Sequence, residues 1–334
     1  MIRSLVLLLS LLSMMMCVHI RSTDQPEQDV KIVFDDSAAR CVLEDPARAL
    51  AERDSIWDAF EGFRITRVWH EKSSYPVTWE IWERGLNRFI NDDTTLIGRS
   101  LELADNLRKL ENREHETIER HLAAYLPETA AFDAYVYLVA FTVPYAFCVE
   151  QNKIGIDLTA DEWYFDPECL LNIMIHELYH VGYKLNSPDR EYINADPTNY
   201  QEYIRLNYAY MLSEGLATHV GYKALDLFPT EHEHEDYKML RDGNKVKAAI
   251  AGVNGLLSMP ADESIDNLLK QAWDIGVTSR AYYVAGAHVC GTIEEKMGAE
   301  YLSGLVAEGG RRIVEEYNVL VPPDEQIHLV VAQP

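Results

Sequence analysis

His176-Glu177-Leu178-Tyr179-His180 sets two histidines four residues apart with a glutamate between them. On an α-helix, positions i and i+4 lie one above the other on one face. Two imidazoles so placed grip one Zn²⁺, and the glutamate points toward water at the metal. The five residues carry that chemistry only on a helix, and the flanking sequence supplies one. The apolar run Cys169 to Ile175 leads straight into His176, and Val181-Gly182-Tyr183-Lys184-Leu185 follows. Leu170, Ile173, Met174, Glu177, Val181 and Leu185 mix helical spacings of three and four. Asp166 is a candidate N-cap, Pro167 suits the first turn, and Asn186-Ser187-Pro188 is a stop signal. The spacing predicts a buried helix of about 17 residues with the histidine pair in its middle.

A zinc site of this kind needs a third protein ligand and an open position for water. Ser213-Glu214-Gly215-Leu216-Ala217-Thr218-His219 offers Glu214, 34 residues after His180 (214 − 180). It falls in a second helical stretch, Tyr200 to about Leu225, with apolar residues at Leu206, Ala209, Met211, Leu212, Leu216 and Val220. Glycine inside a helix costs roughly 1 kcal/mol relative to alanine, so Gly215 calls for a reason. The expectation is that Gly215 and Ala217 let this helix approach the histidine helix closely.

With both motifs quoted, the chain resembles the gluzincin metallopeptidases. Their ligands are two histidines of H-E-x-x-H and a glutamate on a downstream helix. The E-G-L-A form is similar to that of bacterial proteins described as zinc-dependent peptidases. The resemblance covers about Ala134 to Gly298 and implies His176, His180 and Glu214 as metal ligands, Glu177 as general base and Zn²⁺ as cofactor. It also implies a zincin-like α+β fold, mostly helical, with a small mixed β-sheet packed on the H-E-x-x-H helix. Two departures stand out: the 34-residue spacing is longer than in thermolysin-like gluzincins, and Thr218 replaces the acidic residue expected four places after the third ligand. No partner for the second nitrogen of a ligand histidine is therefore identifiable. In the resembling families a Y-x-x-G helix start supplies a tyrosine to the oxyanion. Tyr283-Val284-Ala285-Gly286 matches that pattern, with Tyr282 and His288 as alternatives.

The chain divides into three expected parts. Residues 1–22 read as a signal peptide: Arg3 precedes an apolar run from Leu5 to Met16, too short for a membrane span of about 20 residues. Cys17 closes the run as a lipidated cysteine would, although Met14-Met15-Met16 replaces the small residues such a signal carries. Either route places the remainder outside the cytoplasm, as a periplasmic, cell-surface or secreted protein. Residues 23–130 form a mainly helical region. A polar tether runs from Ser22 to Asp29, and Lys31 to Phe34 is a short strand candidate. Apolar stripes follow on Ala47, Leu50, Ile56, Trp57 and Phe60, then on Trp79, Ile81, Trp82, Leu86 and Phe89. A long charged helix carries Leu101, Leu107, Leu110, Ile118, Leu122 and Tyr125, with Glu111, Glu114, Glu116 and Glu119 on a solvated face. Residues 131–334 form the zincin-like catalytic region. Ala134 to Phe141 reads as a buried strand and Ile154 to Leu158 as a further strand at a sheet edge, where an extended peptide adds by analogy with zincins. Ile327 to Val331 reads as a closing strand.

The formal net charge of −24 argues against nucleic acid and anionic membrane as partners. Cys41, Cys148, Cys169 and Cys290 make an even set that permits disulfides, against buried free thiols. Thr230-Glu231-His232-Glu233-His234-Glu235-Asp236 looks metal-like, but its alternation suits a solvated loop or helix start. His219 lies about 140° around its helix from Glu214, which favours a supporting or structural role. The function expected is hydrolysis of peptide bonds in a peptide or protein substrate by activated water, with Glu177 as base. The rivals are a non-catalytic exported zinc-containing binding or envelope module, and a hydrolase of non-peptide amides using the same residues. Oligomeric state has no signal in the sequence.

Overall fold

The computed structural model describes residues 29–72, 79–91, 94–142, 145–149, 152–160, 166–193 and 195–330. The expected signal peptide, Cys17 and the tether to Asp29 lie outside them, apart from the strand start at Asp29 itself, as does Val331. Four strands form one mixed sheet: β1 (Asp29–Asp35), β2 (Ala131–Val139), β3 (Ala146–Val149) and β4 (Lys153–Asp157), in the order β1-β2-β4-β3. β1 runs parallel to β2 from Asp29↔Ala131 to Asp35↔Tyr137, β4 runs parallel to β2, and β3 is antiparallel to β4. Strand β1 thus lies ahead of residue 130 in sequence and beside β2 in space.

The strand at Ile154 to Leu158 is a correction to its expected place. It is not at the edge: β4 is paired on both sides, and the outer strand there is β3. Residue alternation reports which faces are buried but not which neighbours pair. Gly155 faces Phe147 across the β3–β4 pair, and a Cβ at Gly155 would lie 2.1 Å from the ring. The glycine lets the aromatic ring lie on the backbone.

Between β1 and β2 run α1 (Ser37–Glu44), α2 (Pro46–Ala51), α3 (Arg53–Ala59), α4 (Glu61–Lys72), α5 (Trp79–Asn91) and α6 (Thr94–Ala124). The first apolar stripe is split over α2, α3 and the turn into α4, and each break resets the helical phase. Ala47 consequently faces solvent while Ala49 is buried. In α6 the acidic face is not wholly solvated. Glu111 is buried, 2.7 Å from His115 Nδ1, whose other nitrogen lies 3.0 Å from Glu119.

After β4 come α7 (Pro167–Asn186), α8 (Arg190–Ile193), α9 (Tyr200–Ala224), α10 (Glu235–Leu240), α11 (Gly243–Leu257) and α12 (Ile265–Gln271). A π-helical turn (Ala272–Thr278) leads to α13 (Ala281–Met297), α14 (Ala299–Val306) and α15 (Gly310–Leu320). The architecture is α+β and mostly helical, with α7 packed on β2, β3 and β4. The Asp166 side chain caps α7 by accepting from the Glu168 and Cys169 N–H groups. Asn199 caps α9 by accepting from the Glu202 N–H. One core cluster extends from Val30 to Ile327.

Residues 327–330 form no strand. Their backbone is held by side chains instead: Asn318 accepts from the Ile327 N–H, Asn254 from the His328 N–H and the Tyr208 hydroxyl from the Val330 N–H. Cys41, Cys148, Cys169 and Cys290 are free thiols. Among the described residues, no helix is long and apolar enough to cross a membrane.

Candidate metal centre

Helix α7 presents His176 and His180 to one side, and α9 brings Glu214 against them. His180 Nε2 is 3.2 Å from both His176 Nε2 and Glu214 Oε2, and His176 Nε2 is 3.7 Å from the same carboxylate oxygen. The two imidazoles stand at 82° with centroids 4.9 Å apart. Four-coordinate zinc with bonds of 2.0–2.1 Å holds neighbouring donors roughly 3.3 Å apart. The three donor atoms already have that spacing, and two imidazole nitrogens with one carboxylate oxygen suit zinc. Among the described residues they form the only group of three or more such side chains close enough to share an ion.

The other nitrogen of His180 has a partner that the sequence did not reveal. His180 Nδ1 lies 3.1 Å from Ser213 Oγ, in a buried setting. A ligand histidine that gives its second N–H to a fixed acceptor is locked in one tautomer and orientation. Ser213 does this beside Glu214 on the same helix. Thr218 does not: its hydroxyl is buried without a hydrogen-bond partner.

Gly215 faces α13, not α7, which corrects its expected role. A Cβ there would lie 2.3 Å from Gly286 Cα, and one on Gly286 would lie 2.1 Å from the Met211 carbonyl oxygen. One residue beyond Glu214 is a turn of about 100° around the helix, so Gly215 has to face a different neighbour from the ligand. The E-G-L-A and Y-x-x-G segments are therefore two sides of one backbone contact. That contact sets the first turn of α13 beside the triad.

Tyr283 occupies this turn. Its ring is near-parallel to that of His176 (11°, centroids 6.4 Å), and burial pushes its hydroxyl well above the usual phenol range, so it stays a proton donor. The Tyr282 hydroxyl is committed elsewhere, donating to Asn207 Oδ1 at 2.6 Å. His288 packs edge-on against Tyr317 of α15. Arg280 joins the site together with Asp236, the last residue of the segment whose alternation suited a solvated loop or helix start. The Arg280 guanidinium lies 3.2 Å above the Tyr283 ring centre and forms a two-pronged pair with buried Asp236.

The two glutamates are driven apart electrostatically. Burial raises the Glu177 carboxyl, and neighbouring Glu214 adds to this against the opposing pull of His176. Burial also acts to raise Glu214, but His180 and His176 hold it well below the usual carboxylate range. One carboxylate is thus suited to carry a proton and the other to stay ionised. His219 takes no part: its Nε2 is 2.5 Å from Glu294, which also accepts from Tyr125. His234 caps α10 by accepting from the Asp236 N–H.

No curated protein and no solved structure matches the chain. Residues 96–322 match the family described as "Putative zinc dependent peptidase (DUF5700)". The match spans more than half of the chain, from the start of α6 past the end of α15, and includes every residue of the candidate centre. The chain belongs to this family.

Proposed function

We propose that the protein is a zinc metallopeptidase of the gluzincin type, with His176, His180 and Glu214 as zinc ligands, Glu177 as general base and Tyr283 as oxyanion donor. The observation that carries this reading is the convergence of three donor atoms within 4.8 Å of one another, from two helices, with an intact glutamate beside the first histidine. Zinc held there supplies Lewis acidity, drawing the pKa of water toward neutral and polarising a carbonyl. Glu177 takes a proton from the attacking water and delivers it to the leaving amine. Its burial favours the protonated form and so suits this shuttle. The Tyr283 hydroxyl donates to the carbonyl oxygen as negative charge develops on it. Ser213 keeps His180 turned toward the ligand position.

The substrate class is a peptide or protein. The rival of a non-catalytic zinc module is disfavoured by Glu177, since structural zinc needs no base in its cleft. The test compares wild type, Glu177→Gln and Glu214→Ala for zinc content and for hydrolysis of mixed-sequence quenched fluorescent peptides. Wild type and Glu177→Gln are expected to hold about one zinc per chain, and Glu214→Ala to lose it. Glu177→Gln is expected to hydrolyse on the order of 10²–10⁴ more slowly. Equal rates for wild type and Glu177→Gln would remove the base assignment. Zinc without any turnover in wild type would put the binding module first.

A further inference from the structure

Arg280 has a left-handed backbone, φ 64, which residues with a side chain rarely adopt. It stands where the π-helical turn Ala272–Thr278 gives way to α13, and glycine would adopt this conformation without strain. The turn brings the guanidinium back over the first turn of its own helix, 3.2 Å from the ring centre of Tyr283 three residues on. Asp236 holds it in place. Arg280 Nε donates to Asp236 Oδ1 at 2.9 Å, and Nη2 donates to Oδ2. Asp236 is only 1 % exposed, and His234 Nδ1 lies 3.3 Å from its Oδ2. The segment that looked metal-like in the sequence thus secures the anchor of an arginine at the site.

A ring with a guanidinium 3.2 Å over its centre has little freedom to tilt, and it lies near-parallel to the His176 imidazole. We propose that Arg280, braced by Asp236, is the positioning residue for Tyr283. It fixes the plane of the phenol beside His176 so that the hydroxyl meets the substrate carbonyl without reorganisation. A surface arginine free to recognise a substrate carboxylate would need no buried, two-pronged partner of its own. The proposal rests on the peptidase reading for its catalytic consequence, while the ring placement stands independently of it.

The test incorporates 3-fluorotyrosine and assigns the Tyr283 fluorine resonance by its loss in Tyr283→Phe. Arg280→Gly tolerates the left-handed backbone, and Arg280→Gly combined with Asp236→Asn avoids a stranded buried charge. In both, the Tyr283 resonance is expected to shift and broaden while zinc content stays at the wild-type level. Hydrolysis of fluorescein-labelled casein is expected to fall roughly 10–100-fold, in kcat with KM unchanged, as for partners that orient a catalytic group. An unchanged Tyr283 resonance would overturn the proposal. So would a rise in KM with kcat retained, which would make Arg280 a substrate anchor. If wild type fails to cleave casein, the peptidase reading falls and the resonance alone decides the positioning role.

Discussion

Gly215→Ala tests whether the backbone contact between α9 and α13 organises the site. The new Cβ would meet Gly286 Cα at 2.3 Å, Gly286 C at 2.4 Å and Ala287 N at 2.8 Å. All three are backbone atoms, so no rotamer change relieves them. Ordinary contact begins near 3.4 Å, so the helices must part by about 1.1 Å (3.4 − 2.3). Overpacking of this kind costs about 1–3 kcal/mol. A rigid clash on two backbones belongs near the upper end. Alanine regains about 1 kcal/mol of helix propensity over glycine. The expected net loss is about 2 kcal/mol, from urea unfolding followed by circular dichroism. The consequence for hydrolysis should be larger in proportion, because a displacement of 1 Å at a reacting geometry costs about 100-fold in rate. Zinc should be largely retained, since the ligands lie between α7 and α9 and the wedge acts between α9 and α13. Gly255→Ala is the control: nothing lies within 4 Å of the place its methyl group would take, and the variant should be stabilised by about 1 kcal/mol. If Gly215→Ala gains stability as the control does and keeps its hydrolysis rate, the two helices are not in contact at these glycines.

Ser213→Ala should weaken zinc binding roughly 10–100-fold in a chelator competition with little change in fold stability, and undiminished affinity would show that Ser213 does not orient His180. Tyr282→Phe should cost about 1–3 kcal/mol by stranding Asn207 Oδ1, yet leave hydrolysis near wild type, whereas Tyr283→Phe should spare stability and lower kcat. Equal kinetic losses in the two variants would sink the assignment of Tyr283 as donor. The Asp236 carboxyl is raised by burial but held below its ordinary range by Arg280 and His234. A depressed folded-state pKa gives stability that is present above the unfolded value of about 3.9 and lost as pH falls toward the folded one. Denaturation between about pH 5 and pH 2 should therefore be shallower for Asp236→Asn than for wild type. Parallel pH profiles would contradict the ion pair.

The helix carrying the histidine pair was legible because its signals are local. Asp166 and Pro167 start it, Asn186 ends it, and the apolar spacing between them permits nothing else. Glu214 was legible because a glutamate followed by glycine inside an apolar helix contradicts propensity and asks for a reason. The reason itself was not legible. Whether Gly215 meets α7 or α13 depends on how three helices cross, and nothing within α9 reports that. Ser213 was hidden for the same cause, since its hydroxyl matters only once His180 turns toward it. Arg280 drew no reading of its own, because a left-handed residue other than glycine leaves no compositional mark. The strand Ala146–Val149 is too short to show a period of its own, and its presence moves the sheet edge one strand outward from β4. At the other end, Ile327 and Val330 carry the β-branched pattern of a strand. Asn318, Asn254 and Tyr208 satisfy that backbone in place of a neighbouring strand.

The placement of these residues gives the two glycines a role distinct from that of the proposed ligands. Helices normally pack 8–10 Å apart because side chains stand between their backbones. At Gly215 and Gly286 nothing does, and the backbones of α9 and α13 touch. Glu214 precedes one glycine by a single residue and Tyr283 precedes the other by three, so the contact fixes the Glu214 carboxylate and the phenol relative to each other. The ligand triad alone, held between α7 and α9, leaves α13 free to sit at any distance. Closing that distance brings Tyr283 alongside His176 and sets Arg280 over it. The chemistry proposed for the site therefore depends on two positions that carry no side chain at all, and a methyl group on either is expected to act on that chemistry without touching a donor atom.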